Sequence, residues 1–139
     1  MEVEVRRLER GDEEAVAAAG FLFDQAPDSA ATKRFLTEPT HHLLVAYDGN
    51  LPVGFASGIE VTHPDKGTEM FLYELAVDEP VRRRGIGTAL LQALDALARE
   101  RGCYGMFVFT DADNDAARAT YAKAGAKTPS SHLMYEWDL

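Results

Sequence analysis

The chain has 139 residues, 46% hydrophobic and 27% charged, which suits one ordinary globular core (a single domain, 1–139) and falls short of two. Lys and Arg number 14 against 23 Asp and Glu, and the net charge of −9 repels nucleic acid and anionic membrane surfaces while attracting cationic partners. The lone Cys103 excludes an intramolecular disulfide and points to the cytoplasm, no run reaches the roughly 20 apolar residues of a membrane span, and Met1-Glu2-Val3-Glu4 lacks the basic flank of a signal peptide.

Val3 to Leu8 alternates apolar and charged residues, as a strand does. Gly11-Asp12-Glu13-Glu14 opens a helix with Val16, Ala19 and Phe23 at helical spacing. A second short helix is predicted from Ser29, as its cap, to Thr37, stopped by Glu38-Pro39. His42 to Tyr47 and Leu51 to Val61 form a hairpin across Asp48-Gly49-Asn50, and Met70 to Val77 extends it to a three-stranded meander. Leu90, Leu91, Leu94 and Leu97 mark a helix from about Gly87 to Arg101, ended by Gly102. Tyr104 to Thr110 reads as a buried strand, Asn114 caps a helix reaching Ala124 and Gly125, and Leu133 to Trp137 is the last strand. The order gives an α/β (α+β) fold with a mixed, largely antiparallel sheet, flanking helices and a central βαβ unit whose strands run parallel.

Within that unit, Val81-Arg82-Arg83-Arg84-Gly85-Ile86-Gly87-Thr88 joins strand to helix. Glycine lets a diphosphate approach the main chain, the first helical N–H groups lack internal partners, and the helix dipole favours an anion there. Three arginines at a helix start are electrostatically unfavourable, by roughly 0.3–1 kcal/mol each, unless an anion answers them. A dinucleotide fingerprint is disfavoured because Leu90 replaces its third glycine, and a P-loop is excluded because no Gly-Lys-Ser/Thr follows.

Arg82-x-x-Gly85-x-Gly87, preceded by Leu75-Ala76-Val77, resembles the acetyl-CoA signature of the GNAT superfamily of N-acetyltransferases. Asn114-x-x-Ala117-x-x-x-Tyr121-x-Lys123-x-Gly125 is similar to that superfamily's late helix. The resemblance implies a GNAT-type fold in which main-chain groups around Leu75, Ala76 and Val77 pair with the pantetheine arm of acetyl-CoA. It further implies that Arg82, Arg83, Arg84, Gly85, Ile86, Gly87 and Thr88 hold the pyrophosphate, that Asn114 contacts pantetheine, and that Tyr121 lies near the sulfur. Tyr73-Glu74-Leu75-Ala76-Val77, Arg83-Arg84-Gly85-Ile86-Gly87-Thr88-Ala89-Leu90, and Asp111 ahead of Asp115-Ala116-Ala117 resemble the aminoglycoside 3-N-acetyltransferases most. That family usually has aspartate where Glu74 stands.

A protonated alkylamine has a pKa near 10.4, so acyl transfer needs a base for its proton and an acid for the departing thiolate. Glu74 and Asp111 are the candidate bases and Tyr121 the candidate acid. Regular alternation puts Leu72, Glu74 and Ala76 on one sheet face, opposite Leu75 and Val77. A cross-strand salt bridge for Glu74 and a core role for Tyr121 are the plainer readings. Asp111-Ala112-Asp113-Asn114-Asp115 starts like a calcium loop, but Ala116 and Ala122 stand where Gly and Glu are required, and no metal site is expected. His41, His42, His63 and His132 read as surface or strand-end residues. The expected activity is acetylation of an aminoglycoside amine, the 3-amine by resemblance, and hence antibiotic resistance. Acetylation of another small amine or a protein amine, and an acyl-CoA sensor without turnover, are the alternatives. Leu133 to Trp137 offers an edge for a homodimer.

Overall fold

The computed structural model describes all 139 residues, which fall into two units, Met1–Phe109 and Thr110–Leu139. In the first, the alternating N-terminal run forms β1 (Val3–Leu8), and α1 (Glu13–Ala18) follows with acidic residues in its first turn. A 3-10 turn at Gly20–Leu22 leads to α2 (Ser29–Thr37). The cap of α2 is Asp28 rather than Ser29: its carboxylate accepts the Ala31 N–H at 2.7 Å, a charge-assisted bond that a hydroxyl one residue later does not match. The meander comprises β2 (His41–Asp48), β3 (Leu51–His63) and β4 (Gly67–Val77), the last hairpin being longer than its apolar pattern suggests. Then come α3 (Ile86–Glu100) and β5 (Met106–Val108).

The strands lie in the order β1-β2-β3-β4-β5. The first three pairings are antiparallel and β4 with β5 is parallel, as a βαβ connection requires. β5 is shorter and less buried than the expected Tyr104–Thr110 strand, since Tyr104 and Phe109 are exposed at its ends.

One sheet face receives α3 through Ile86, Leu90 and Leu94, all buried. Gly54 and Gly58 permit this approach: a Cβ at Gly54 would lie 3.1 Å from Ile86 Cγ2, and one at Gly58 2.8 Å from Leu94 Cδ1. The other face carries a core of Leu8, Val16, Ala19, Leu43, Val45, Tyr47 and Phe55, with Phe23, Phe35 and Leu36 packed against it. The expected helix stops at Ala18, so Val16 and Ala19 reach the core from its last turn, while Phe23 reaches it from extended backbone after the 3-10 turn, its ring 4.4 Å from that of Phe55.

His42 departs from the surface role expected of it, being 1% exposed. Arg7 Nη2 lies 3.0 Å from Nδ1, and because arginine only donates, Nδ1 accepts and Nε2 carries the proton toward Glu60 at 2.7 Å. Glu60 also accepts from Arg101 Nε at 2.9 Å. Burial, only partly offset by Glu60, lowers the His42 pKa, so the ring is neutral. The Glu60 pKa is lowered as well: burial acts to raise it, but bonds from His42 and Arg101 prevail. Its contribution to stability is therefore present above the ordinary carboxylate range and lost as pH falls through its depressed folded value. Glu60→Ala, which strands a buried His42 N–H, should lower unfolding free energy by about 1–3 kcal/mol at neutral pH. Urea unfolding should show that difference shrinking in acid.

In the second unit, Asn114 caps α4 (Asp115–Lys123) as its sequence predicts, its Oδ1 accepting the Ala117 N–H at 3.1 Å. Gly125 follows with φ +94°. The expected strand at Leu133–Trp137 is not formed; residues 126–139 belong to no helix or strand. Alternating apolar residues specify a strand only when a neighbouring strand receives their main-chain hydrogen bonds. No helix is long and apolar enough to cross a membrane.

Candidate active site

The loop from β4 into α3 is shaped by two left-handed residues, Arg83 at φ +66° and Gly85 at φ +82°. Gly85 is the N-cap of α3, no side chain caps the helix, and no acidic residue stands in its first turn. The helix thus begins with unanswered N–H groups and the positive end of its dipole. A Cβ at Gly85 would meet nothing within 4 Å, so the main chain there is open to a ligand. Buried Ile86 and Leu90 fix the helix start to the sheet, while Arg82, Arg83 and Arg84 flank it. Arg82 Nε donates to the Val77 carbonyl at 3.0 Å and ties loop to strand.

β5 pairs with β4 only along Met70, Phe71 and Leu72, so β4 continues past it with no strand on that side. The Asp78 N–H turns inward to the Val53 carbonyl at 2.9 Å. By alternation the main-chain groups of Leu75 and Val77 then turn outward, and those of Ala76 inward. The edge at Leu75–Val77, where no strand pairs and Arg82 holds the Val77 carbonyl, adjoins the open helix start in one continuous segment.

The face of Glu74 differs from regular alternation. Register along β3 passes from Ser57, opposite Glu74, to Gly58, opposite Leu72, leaving Tyr73 as an extra residue on β4. This bulge reverses the pleat. Leu72 stays with Gly58 on the α3 face, whereas Glu74 shares the opposite face with Ser57, whose hydroxyl donates to it at 3.3 Å. Leu72 and Glu74 therefore do not share a face, and Glu74 lines a cavity of about 370 Å³ with Phe23, Asp24, Phe35, Leu43 and Ser57. Burial pushes the Glu74 pKa up, the Ser57 bond opposes this, and the Asp24 charge adds to the rise. A carboxylate destabilised in this way is a stronger proton acceptor than one in water. Its hydroxyl partner takes the place of the cross-strand salt bridge.

The second unit carries Asp111, Asn114 and Tyr121. Asp111 is exposed and its carbonyl accepts the Asn114 N–H at 3.0 Å. The Asn114 carbonyl oxygen is engaged in capping, which leaves its NH₂ group for a ligand. Tyr121 lies on α4 and its phenol pKa is raised by burial, so the hydroxyl keeps its proton at neutral pH. Cys103 likewise has a raised pKa through burial, an environment that disfavours a reactive thiolate. Sequence reasoning missed Asp24 and Ser57. Asp24 sits in the patternless stretch between two short helices, and Ser57 is one small residue in an apolar strand, so neither carries a local signal.

Residues 4–126 match the acetyltransferase (GNAT) family. The chain belongs to that family. Members of this GNAT family take acetyl-CoA as acetyl donor, and the open Gly85, the uncapped start of α3 and the free edge of β4 fit such a molecule. A mycothiol acetyltransferase of Nocardia farcinica (strain IFM 10152) is 37% identical over 117 residues, covering 83% of this chain and 36% of its own. The chain thus spans about a third of the length of that curated relative. The aminoglycoside acetyltransferase meta-AAC0020, from an uncultured soil metagenomic sample and crystallised with sisomicin, has the same fold at TM-score 0.91 and 23% identity, over 99% of this chain and 96% of that one. HMB0005, an aminoglycoside acetyltransferase also from a soil metagenome, gives 0.84 and 28% over 99% and 100%. AAC(6′)-Iy in complex with CoA gives 0.82 and 19% over 99% and 96%.

Proposed function

We propose that this GNAT chain works as a single acetyltransferase domain in the cytoplasm, moving the acetyl group of acetyl-CoA to a primary amine of an aminoglycoside. The observation that carries this reading is Glu74, half-buried beside Ser57 in a cavity that also holds Asp24. Two carboxylates in a largely apolar cavity suit an ammonium group on a compact ring. The net charge of −9 draws polycations toward the protein. The GNAT relatives with aminoglycoside substrates in their names add to that support, HMB0005 above all at 28% identity. Preference for the 3-amine rests on the sequence resemblance alone, and AAC(6′)-Iy, named for a different amine, has the same fold.

In this scheme the N–H groups from Arg83 to Thr88 bind the pyrophosphate, aided by Arg82, Arg83 and Arg84. The free edge at Leu75–Val77 and the Asn114 amide bind pantetheine. Acetyl-CoA supplies the acetyl thioester. Glu74 takes the ammonium proton, directly or through a water, and the neutral amine then forms the new C–N bond. Tyr121 gives its hydroxyl proton to the sulfur as the C–S bond breaks, and the second proton shed by the nitrogen as the amide forms restores the Tyr121 hydroxyl. Asp111 is the second candidate base.

Tyr121→Phe should leave the dissociation constant for CoA unchanged and lower turnover by about 10²-fold, the lower end for a positioned acid. Calorimetric titration together with single-turnover thiol release checks this, and unchanged turnover removes Tyr121 from the reaction. The function itself is tested by thiol release from acetyl-CoA with gentamicin, kanamycin, spermidine, free amino acids and a lysine peptide. Release with the aminoglycosides is expected, and NMR of the product reads the acetylated position. Release only with another amine overturns the substrate class, and tight CoA binding without release from any amine indicates a sensor.

A further inference from the structure

Ser57 stands in the middle of the sheet, opposite Leu43 on β2 and Glu74 on β4, so strand pairing on both sides fixes its backbone. It is 4% exposed, and its hydroxyl has Glu74 Oε1 as its one side-chain partner, at 3.3 Å. The bulge at Tyr73 makes this pairing, because it turns Glu74 onto the face of Ser57. Glu74 takes part in none of the ion pairs of the protein. The other charged group on its cavity is Asp24, an anion from the connection ahead of α2. To the same cavity β2 contributes Leu43, α1 Val16, and α2 Thr32 and Phe35, none of which is charged.

We propose that Ser57 is a positioning residue for acetyl transfer, its hydroxyl holding Oε1 of Glu74 so that Oε2 is left to take the ammonium proton. The role rests on the reading of Glu74 as the base. A glutamate side chain turns about several bonds, and in a largely apolar cavity with no cation it needs a fixed partner to keep one rotamer. Ser57 is such a point: its side chain turns about a single bond on a strand paired on both sides, and a hydroxyl has one proton to commit. The same bond sets the ionisation of Glu74. Burial and the Asp24 charge both favour the neutral acid, and the Ser57 hydroxyl opposes them by donating to the charged form. Ser57 is thus the one group bonded to Glu74 that keeps it a carboxylate, and a protonated Glu74 accepts no proton. At 3.3 Å the bond is longer than an ideal hydroxyl–carboxylate contact, which places the expected effect at the lower end for a hydrogen bond to a charged group.

Ser57→Ala should lower kcat with gentamicin about 10-fold below neutral pH and leave KM for acetyl-CoA unchanged. The acid limb of kcat/KM, which reports the ionisation of the base in the free enzyme, should move to higher pH. The Glu74 carboxyl carbon, followed by NMR through a pH titration of the full chain without substrate, should move its midpoint in the same direction. Ser57→Thr keeps the hydroxyl and should restore the wild-type limb, whereas Ser57→Val, of the same shape without the donor, should behave as Ser57→Ala does. An acid limb and a carboxyl titration that stay in place in Ser57→Ala, or threonine and valine variants that behave alike, overturn the proposal. Glu74→Gln separates it from the reading on which it rests. Full turnover in Glu74→Gln removes the base assignment and the positioning role with it, while an inactive Glu74→Gln beside an unmoved acid limb in Ser57→Ala overturns the role of Ser57 alone.

Discussion

Glu74→Gln should lower turnover by about 10²- to 10⁴-fold near neutral pH and at the same time raise the melting temperature. The stability gain follows from the proton linkage of a carboxyl whose pKa is raised by burial. The folded protein binds that proton more tightly than the unfolded chain does. The resulting stabilisation is complete below the ordinary glutamate value of 4.5 and is lost as pH rises through the folded value. At neutral pH the wild-type chain therefore holds a carboxylate in an unfavourable place, whereas the substituted amide has no charge to bury and still accepts from Ser57. The variant should be more stable at pH 7, with the difference vanishing in acid, as calorimetric scans across pH would show. Its turnover defect should be largest at low pH, where nearly all substrate amine is protonated, and should narrow toward the amine's own pKa near 10. Lower stability with unchanged turnover would make Glu74 structural and leave Asp111 as the base.

Gly85→Val should abolish detectable CoA binding in calorimetry, weakening it by at least about 100-fold, while lowering stability by only about 1–2 kcal/mol. The two effects have different origins. The stability cost is that of holding a β-branched residue at φ +82°, since the added side chain meets no atom of the protein within 4 Å at its Cβ. The binding loss comes from filling the open surface where a pyrophosphate reaches the first N–H groups of α3. Gly85→Asn separates them, because asparagine tolerates the left-handed region yet still occupies the approach. It should keep the wild-type melting temperature within a few degrees and still bind CoA poorly. Wild-type affinity in both variants would place the pyrophosphate elsewhere.

Much of this GNAT architecture is legible locally. The leucine spacing of α3, the cap at Asn114 and the glycine turn at Gly85 each depend on residues within a few positions of one another. Where local signals compete closely, they mislead: Ser29 and Asp28 are both good caps, and only the geometry of the Ala31 N–H separates them. The apolar runs Tyr104–Thr110 and Leu133–Trp137 suggest more strand than the chain forms, because a strand also needs a neighbour. His42 looks like a strand-end residue because nothing nearby in sequence announces Arg7, Glu60 and Arg101.

By itself, then, the sequence determined the order of elements from β1 to α4, the family and the glycine turn ahead of α3, since turns, caps and helix periodicity are short-range properties of the backbone. Only the tertiary structure decided which way Glu74 faces. A single extra residue at Tyr73 reverses the pleat, and that residue is visible solely in the register between β3 and β4. The same is true of the company Glu74 keeps: Ser57 lies across a strand pairing and Asp24 comes from a helical connection some fifty positions away in the chain. Side chains that distant meet only after the sheet has fixed its register, so the raised pKa that suits Glu74 to accept a proton is a property of the folded protein alone.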